Sequence, residues 1–368
     1  MTMANRVRLL GALAVGLALT GAGAVTASAA VSAGAAPGSA RPAVGPVPAG
    51  FQPDSFTFVS ANDGWVLGTA PCTHKPCTSV VRTTNGGRSW VGIPAPLLGL
   101  SSFEGQPGLD RIRFADNRDG FAYGSQLWVT HNGGARWARV RQVPGYIGDL
   151  EASDGVVYAD SIKSDRITVY RSPAGANSWH RVARLPVVRG VDGFDAITLH
   201  GKSAWIILGG RVYASSNGTA WARESFRCPQ SFGISSVAAY SSTRISLLCA
   251  GNAALGSTEK VLYASSDGGK HYVRAGQPPR GGDGGVLAEP TPSHLFVATT
   301  SGASWIYVSR NGGGHWTRSL TLLDGGKSWN DFGFTTASQG AAVEGTPAFG
   351  SRMFLTKNGG ASWHVVKF

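Results

Sequence analysis

Five aspartates in the sequence stand at or just before short apolar runs, where a loop enters a strand. Carboxylates gathered at one place can hold a hard cation such as Ca²⁺. Two of them on either side of a sugar linkage can instead catalyse its hydrolysis. A simpler interpretation is that aspartate is common wherever loops enter strands. The five are Asp110, Asp149, Asp192, Asp195 and Asp331.

Other catalytic signatures are missing from the sequence. It contains no Gly-x-Ser-x-Gly elbow, no His-Glu-x-x-His motif and no glycine-rich phosphate loop that opens a helix. His131, His271 and His315 lie inside glycine-rich turns, which favours exposed turn residues over ligands. We therefore assign no catalytic residue, no cofactor and no metal.

An eight-residue box organises the chain. Its pattern is Ser/Thr, a spacer, Asn/Asp, two glycines, two further residues and an aromatic, and five copies are complete. Two more are degenerate, and the spacing of roughly 40 to 50 residues is typical of propeller blades. The full boxes are Thr83–Trp90, Thr130–Trp137, Ser265–Tyr272, Ser309–Trp316 and Thr356–Trp363, and the degenerate ones are Ser172–Trp179 and Ser215–Trp221.

Each box is preceded by a hairpin pattern such as "FTFVSANDGWVLG" (Phe56 to Gly68), in which apolar alternation surrounds an Asp-Gly turn. A third apolar run enters the box and a fourth begins at its closing aromatic. Seven units of four short strands, without helical periodicity, predict an all-β fold: a single seven-bladed β-propeller of four-stranded antiparallel blades. A β-sandwich would not repeat its turn chemistry at a fixed period.

In this fold the box is the turn between the third and fourth strands, because Asn/Asp accepts backbone N–H bonds and the glycines permit positive φ. The opposite face then carries the connections from each fourth strand to the next blade. Phe103, Tyr146 and Trp329 are predicted to lie on those connections, where an aromatic ring offers a stacking surface. Packing of these loops onto the disc is the alternative.

The four cysteines are expected to form two disulfides. A zinc site is disfavoured, because four residues separate Cys72 from Cys77 and no matching Cys-x-x-Cys pair exists. The blade order places Cys228 and Cys249 on the face opposite the boxes, as it does Cys72 and Cys77. We therefore predict the pairs Cys72–Cys77 and Cys228–Cys249.

The N-terminus predicts export. Arg6 and Arg8 precede the apolar run Leu9–Leu19 and a small-residue stretch, which together are typical of a signal peptide over residues 1–29. The apolar core is shorter than the ~20 residues that a membrane span requires, so we expect cleavage and no remaining span. Residues 30–50 are rich in Ala, Gly and Pro and are predicted to be a flexible leader, followed by the propeller over 51–368.

The chain is basic, with a formal charge of +12 that becomes +10 without Arg6 and Arg8. The basic residues are distributed over all repeats, which argues against a specific nucleic-acid site. They indicate either a general attraction to anionic cell-envelope polymers or a solvated surface without a partner.

The box resembles the Asp box of bacterial neuraminidase (BNR) repeats, and the longer unit is similar to repeats of the photosystem II stability/assembly factor family and its secreted BNR-like relatives. The resemblance covers about residues 51–368. It implies a repeat β-propeller but no particular activity, since such repeats occur in sialidases, xyloglucan hydrolases and sortilin-type receptors. A photosystem assembly role would follow only from this resemblance.

Resemblance to sialidases would imply an arginine cluster, a Tyr nucleophile with a Glu partner and an Asp acid/base. The chain has "RIRF" (Arg111 to Phe114) without the proline of the sialidase "RIP" motif, and sialidase propellers have six blades. Residues of the required types do lie near predicted inner strands, but a chain of this length contains them by chance. They are Arg111, Arg113, Arg189, Tyr146, Glu151 and Glu289.

These observations predict a secreted, monomeric binding or scaffold protein that presents its loop-rich face to a protein or glycan. A sialidase-like or other glycoside hydrolase or lyase, acting in the central funnel, is the alternative. The candidate ligand-binding residues are Asp110, Arg111, Asp149, Asp195, Trp329 and Asp331.

Overall fold

The computed structural model describes residues 44–72, 76–101, 106–163, 166–186, 196–229, 232–252 and 254–368. These residues form seven four-stranded sheets, each built from four consecutive strands with antiparallel neighbours. The predicted seven-bladed propeller is confirmed. The predicted signal peptide and most of the leader lie outside the described residues.

The strands are assigned to blades in chain order. Blade 1 comprises β1 (Gln52–Phe58), β2 (Gly64–Pro71), β3 (Pro76–Thr83) and β4 (Val91–Ile93). Blade 2 comprises β5 (Leu109–Phe114), β6 (Gly120–Gly124), β7 (Leu127–Thr130) and β8 (Ala138–Val140). Blade 3 comprises β9 (Tyr146–Ser153), β10 (Val156–Lys163), β11 (Arg166–Pro173) and β12 (His180–Pro186). Blade 4 comprises β13 (Ala196–His200), β14 (Ser203–Leu208), β15 (Arg211–Ser215) and β16 (Ala222–Arg223). Blade 5 comprises β17 (Gly233–Ala239), β18 (Ile245–Ala250), β19 (Lys260–Ser265) and β20 (Val273–Gly276). Blade 6 comprises β21 (Asp283–Ala288), β22 (Leu295–Ser301), β23 (Ala303–Ser309) and β24 (Thr317–Leu322). Blade 7 comprises β25 (Trp329–Phe334), β26 (Gly340–Glu344), β27 (Arg352–Thr356) and β28 (His364–Val365). A 3₁₀ turn, Pro347–Phe349, joins β26 to β27.

The first strand of each blade is the innermost. Each first strand contacts the first strands of both neighbouring blades, so β1, β5, β9, β13, β17, β21 and β25 form a closed ring around the axis. The hydrophobic core lies between the blades. In one cluster, for example, Phe296 of blade 6 stacks on Phe334 of blade 7 with ring centroids 4.1 Å apart.

The boxes form the turns from third to fourth strand, as predicted. In the first box, the Thr83 hydroxyl accepts the N–H of Gly87, and the Gly86 N–H donates to the Asn62 carbonyl in the hairpin between β1 and β2. The other four full boxes repeat these bonds, and their glycine pairs all have positive φ, between 64° and 103°. We call this the box face and the opposite one, where second strands connect to third and fourth strands to the next blade, the top face.

The two degenerate boxes make different turns. In blade 3 the Ala174 N–H donates to the Gly155 carbonyl in the hairpin between the first two strands. In a full box this bond is made by the first glycine, which stands one position later than Ala174 does. The turn is therefore displaced by one residue, and Ala174 is buried in it. In blade 4 the shorter turn has Asn217 Oδ1 accepting the N–H groups of Thr219 and Ala220.

Blades 1 and 7 close the ring without sharing a strand. Phe51 packs edge-on against Phe368 at 4.9 Å between centroids, and β1 contacts β25, β26 and β27. Gly45, ahead of the first blade, also pairs with Gly92 in β4. Side-chain packing thus joins blade 1 to blade 7, and the short pairing fixes the segment before blade 1 to the outer strand of that blade.

Both predicted disulfides are present, Cys72–Cys77 and Cys228–Cys249. The first closes the β2–β3 connection, and the second ties the segment entering blade 5 to the end of β18. Each is local to the top face, as the predicted strand directions require. Among the described residues, no helix is long and apolar enough to cross a membrane.

Candidate functional site: the axial cluster and the top face

One place in each first strand is equivalent by register, and we call it the clasp position. In four blades its side chain accepts the backbone N–H of the following blade's first strand, which fixes adjacent blades together. The acceptor–donor pairs are Ser55 with Ile112 at 3.2 Å, Asp149 with Ile197 at 2.8 Å, Ser236 with Leu287 at 3.1 Å and Asp331 with Phe56 at 3.0 Å. Arg111, Ala196 and Val286 hold this position in blades 2, 4 and 6.

Arg113 lies at the centre of the ring and joins four blades. Its guanidinium donates to both carboxylate oxygens of Asp331, at 3.1 and 3.2 Å, and lies 3.5 Å from Glu151. It also donates to the Phe56 carbonyl at 3.0 Å, and the Ser55 hydroxyl donates to Asp331 at 2.7 Å. All of these side chains are buried, so the cluster links the inner strands of blades 7, 1, 2 and 3.

Opposite charges keep Arg113 and Asp331 ionised. Burial alone would lower the pKa of Arg113, but attraction to Asp331 and Glu151 raises it above its ordinary value. Burial alone would raise the pKa of Asp331, but Arg113 and Arg111 hold it below its ordinary value. Breaking one partner would therefore leave a buried charge without compensation.

A second polar group lies at the mouth of the axis, on the top face. Tyr146 donates to the Asp110 carboxylate at 2.7 Å, and Arg111 Nη1 donates to the Asp110 carbonyl at 3.0 Å. Arg111 Nη1 also approaches Asn330 Oδ1 at 3.4 Å, and the Asn330 amide donates to the Asp54 carboxylate at 2.8 Å. These five side chains, here called the mouth cluster, form an arc over blades 7, 1, 2 and 3.

Asp54 of the mouth cluster has a strongly raised pKa. Burial raises its pKa to about 7, and Asp110 and Asp331 reinforce the shift against the opposing effects of Arg111 and Asn330. A carboxyl group with a pKa near neutrality beside an arginine is a feature of functional sites, although ion-pair networks produce it as well.

The structure brings together some of the predicted site residues and separates others. Asp110 and Arg111 belong to the mouth cluster, whereas Asp149 and Asp331 are buried beneath it as inter-blade acceptors. Asp195 lies outside the described residues, as do Asp192, Arg189 and Phe103.

The expectation that Trp329 offers an exposed stacking surface is wrong. Trp329 begins β25 rather than lying on a loop, and it is fully buried. Its indole N–H donates to the carbonyls of Thr299 and Trp305, which hold the ring between blades 6 and 7. Tyr146 remains half-buried at the axis mouth.

Sequence reasoning missed the roles of Asp54 and Asn330 and the central position of Arg113. A signal existed only for Arg113, because Arg111 and Arg113 alternate in a strand pattern and must share one face of β5. Among the described residues, no group of His, Cys, Asp and Glu is arranged to hold a metal ion.

Exposed apolar side chains are unevenly placed over the two faces. Among the described residues, the large hydrophobic side chains with the greatest exposure, 68–107%, include four on top-face connections and one on a fourth strand. The four are Leu97, Leu255, Leu323 and Phe349, and the fifth is Val273. The hairpins and boxes of the opposite face contribute none of them.

No protein-family model and no curated protein matches the chain. Among solved structures it is similar to YCF48 from Cyanidioschyzon merolae, with a TM-score of 0.59 and 15% identity over 86% of this chain and 98% of that one. YCF48 bound to a D1 peptide gives 0.56 and 16% over 86% and 97%. An ulvan lyase of family PL25, bound to -[GlcA(1-4)Rha3S]-, gives 0.56 and 11% over 88% and 97%. These likenesses establish the β-propeller fold.

Proposed function

We propose that this protein is an exported binding or scaffold propeller that recognises a segment of a protein partner on its top face. The observation that carries the proposal is the placement of Leu97, Leu255, Leu323 and Phe349 on the connections of that face. Contiguous exposed apolar patches rimmed by polar groups are typical of interaction sites. The connections that carry Leu323 and Phe349 are in contact, because Lys327 donates to the Gly350 carbonyl. Export is supported by the signal-like N-terminus and the two disulfides.

The mouth cluster supplies a polar anchor at the centre of this face. Among the described residues, Arg111 makes hydrogen bonds only through Nη1, so Nε and Nη2 have no acceptor there. An arginine fork of this kind binds a carboxylate in a bidentate manner. A peptide that places an acidic side chain or its C-terminus over the axis would use both this anchor and the apolar rim.

Binding is favoured over funnel catalysis because the carboxylates at the axis are buried. Asp149, Glu151 and Asp331 are buried and engaged with backbone N–H groups or Arg113. A glycoside hydrolase needs two carboxylates that face an open groove. The likeness to YCF48 with a bound D1 peptide also supports a peptide ligand for this fold.

Selection from a random-peptide phage library on the immobilised mature chain tests the proposal. We expect the selected peptides to lose about tenfold or more in affinity for the double variant Leu323→Ser, Phe349→Ser, which removes anchoring side chains. The matched control is Val273→Ser, Val365→Ser, which alters exposed apolar residues on fourth strands. Equal losses in both variants, or peptides that bind the box face, would contradict the proposal.

A glycan-cleaving activity at the mouth is a second candidate, favoured by one observation. The pKa of Asp54 is about 7, and Arg111, Asp110 and Tyr146 lie in the same cluster. Incubation with a panel of neutral and acidic polysaccharides, followed by reducing-end and unsaturated-uronate assays, tests it. Turnover that survives in Asp54→Asn and Arg111→Gln would eliminate this site.

A further inference from the structure

A basic groove lies at the rim of the ring, between blades 2 and 3 and away from the mouth cluster. It has a volume of about 510 Å³ and is lined by the basic residues Lys163, Arg166, Arg181 and Arg184. Thr168 and Tyr170 of β11 form its floor. We call this hollow the basic groove.

Strand register explains why these charges converge. Lys163 pairs with Arg166 across β10 and β11, Thr168 pairs with Arg184, and Tyr170 pairs with Arg181. Paired residues project on the same side of a sheet. The other face of β11, with Ile167 and Val169, packs against blade 4 instead.

A second hollow continues the groove along blade 2. It has a volume of about 540 Å³, is lined by Arg139 and Arg141, and shares Pro144 with the basic groove. The described residues that line the two hollows thus bring six basic side chains together and include no aspartate or glutamate. Ser164 and Asp165 lie outside the described residues.

These six cations differ from the arginines that carboxylates hold in place. Arg82, Arg244, Arg280 and Arg352 each form an ion pair with a carboxylate. Among the described residues, none of the six basic side chains at the rim makes an ion pair or a side-chain hydrogen bond. Like charges directly opposite each other, as at Lys163, destabilise a sheet. The stability of the fold therefore gains nothing from this arrangement. An anionic ligand would gain charge-assisted contacts from it.

We propose that the basic groove binds a linear anionic polysaccharide that carries carboxylate or sulfate groups. Residues on one face of a strand are about 7 Å apart and neighbouring strands about 4.8 Å apart, so the groove presents cations at intervals suited to repeated anions. Arginine forks bind such oxyanions in a bidentate manner. The half-buried Tyr170 adds a hydroxyl and a ring face for the sugar.

Single-stranded nucleic acid fits this groove less well. Proteins that bind it combine positive charge with several aromatic side chains on which successive bases stack. Tyr170 is the one aromatic among the described residues that line the two hollows. The site is separate from the top-face apolar residues, so the outcome here is independent of the proposed peptide binding.

Two charge-matched variants of the mature chain test the site. The groove variant is Arg166→Gln, Arg181→Gln, Arg184→Gln. The control is Arg88→Gln, Arg136→Gln, Arg223→Gln, three exposed arginines on other surfaces that pair with no carboxylate among the described residues. Titration calorimetry measures binding of a heparin-derived oligosaccharide, an oligogalacturonate, a neutral dextran oligomer and oligo(dT).

We expect the native chain to bind one or both acidic oligosaccharides and to ignore dextran. The groove variant should lose about tenfold or more in affinity, since three charge-assisted contacts are removed, while the control stays within about twofold. Equal losses in both variants would show attraction to bulk charge and overturn the proposal. So would binding of no acidic glycan, or tighter groove-dependent binding of oligo(dT). Loss with oligogalacturonate identifies carboxylates, and loss with heparin alone identifies sulfates.

Discussion

The first strands of blades 7, 1, 2 and 3 place charged and hydroxyl side chains at the axis, whereas blades 4, 5 and 6 place mostly small neutral ones there. Asp331, Ser55, Arg113 and Glu151 form one buried network in the first group. At the clasp positions of the second group stand Ala196, Ser236 and Val286. The same ring can thus be held by ion pairs or by packing. The mouth cluster lies above the charged group alone, which associates charge at the axis with the candidate site.

Arg113→Met tests the charged half and carries the largest expected effect. It removes the partner of Asp331 and Glu151, and loss of one member of a buried ion pair costs about 3–5 kcal/mol. Denaturant unfolding should show this loss. The matched change in the neutral half is Thr198→Val, at the equivalent position of blade 4, which should cost less than about 1 kcal/mol.

A rescue variant separates charge from shape in this network. Adding Asp331→Asn and Glu151→Gln to Arg113→Met removes the uncompensated charges and should recover part of the lost stability. If the triple variant is less stable than Arg113→Met alone, packing rather than charge accounts for the role of Arg113.

Lys260 is a buried cation outside the charged half. Backbone carbonyls, and not carboxylates, stabilise its charge. Its ammonium lies 2.8–3.4 Å from five backbone carbonyls, those of Thr258, Pro279, Arg280, Gly281 and Gly282. Burial lowers the pKa of Lys260 to about 8, so it is still mainly charged at pH 7. The charge therefore holds one top-face loop instead of linking blades.

Lys260→Met should destabilise the protein by about 2–3 kcal/mol, because buried carbonyls lose their donor. Hydrogen exchange should rise in residues 279–282. Lys327→Met, where the half-buried ammonium donates to the Gly350 carbonyl, is the control and should cost under about 1 kcal/mol. Equal costs in the two variants would show that the carbonyl cage adds nothing.

Ser236→Ala tests the clasp bond without charge. It leaves the buried N–H of Leu287 without its acceptor, which costs about 1–2 kcal/mol. Ser235→Ala removes a donor to the Leu248 carbonyl, and a carbonyl tolerates an unmade bond better than an N–H does. A larger loss in Ser235→Ala, measured by thermal unfolding, would mean that the clasp does not fix blade 5 to blade 6.

The sequence was sufficient for the scaffold because the box is local. Thr83, Asn85 and the two glycines specify one turn among themselves, and strand alternation then fixed the faces and the cysteine pairs. The axis is not local: Arg113 and Asp331 are 218 residues apart, and only closure of the ring brings them together. Trp329 was misplaced because it was assigned to the connection before the strand, whereas β25 already begins at Trp329.

The basic groove shows the same limit. Its cations lie on β10, β11 and β12, among apolar residues, and by sequence position they are scattered. Register across three strands turns this scatter into a cluster. A pattern within one strand cannot reveal it.

The one pH-dependent effect concerns Asp54, at the boundary between the axis and solvent. Its pKa is 3.8 ordinarily and about 7 in the folded protein, so between these values the folded state holds more protons than the unfolded state. The contribution of Asp54 to stability is therefore fully present below about pH 4 and is lost as pH rises to about 7.

Asp54→Asn keeps an oxygen to accept the Asn330 amide and cannot ionise. It should match the native chain near pH 4 and exceed it by up to about 4 kcal/mol at pH 8. Asp54→Ala lacks that acceptor and should be less stable than Asp54→Asn at every pH. Unfolding free energies measured from pH 4 to pH 8 check both statements, and a native chain that gains on Asp54→Asn as pH rises would show that Arg111 outweighs burial and that Asp54 is ionised at the mouth.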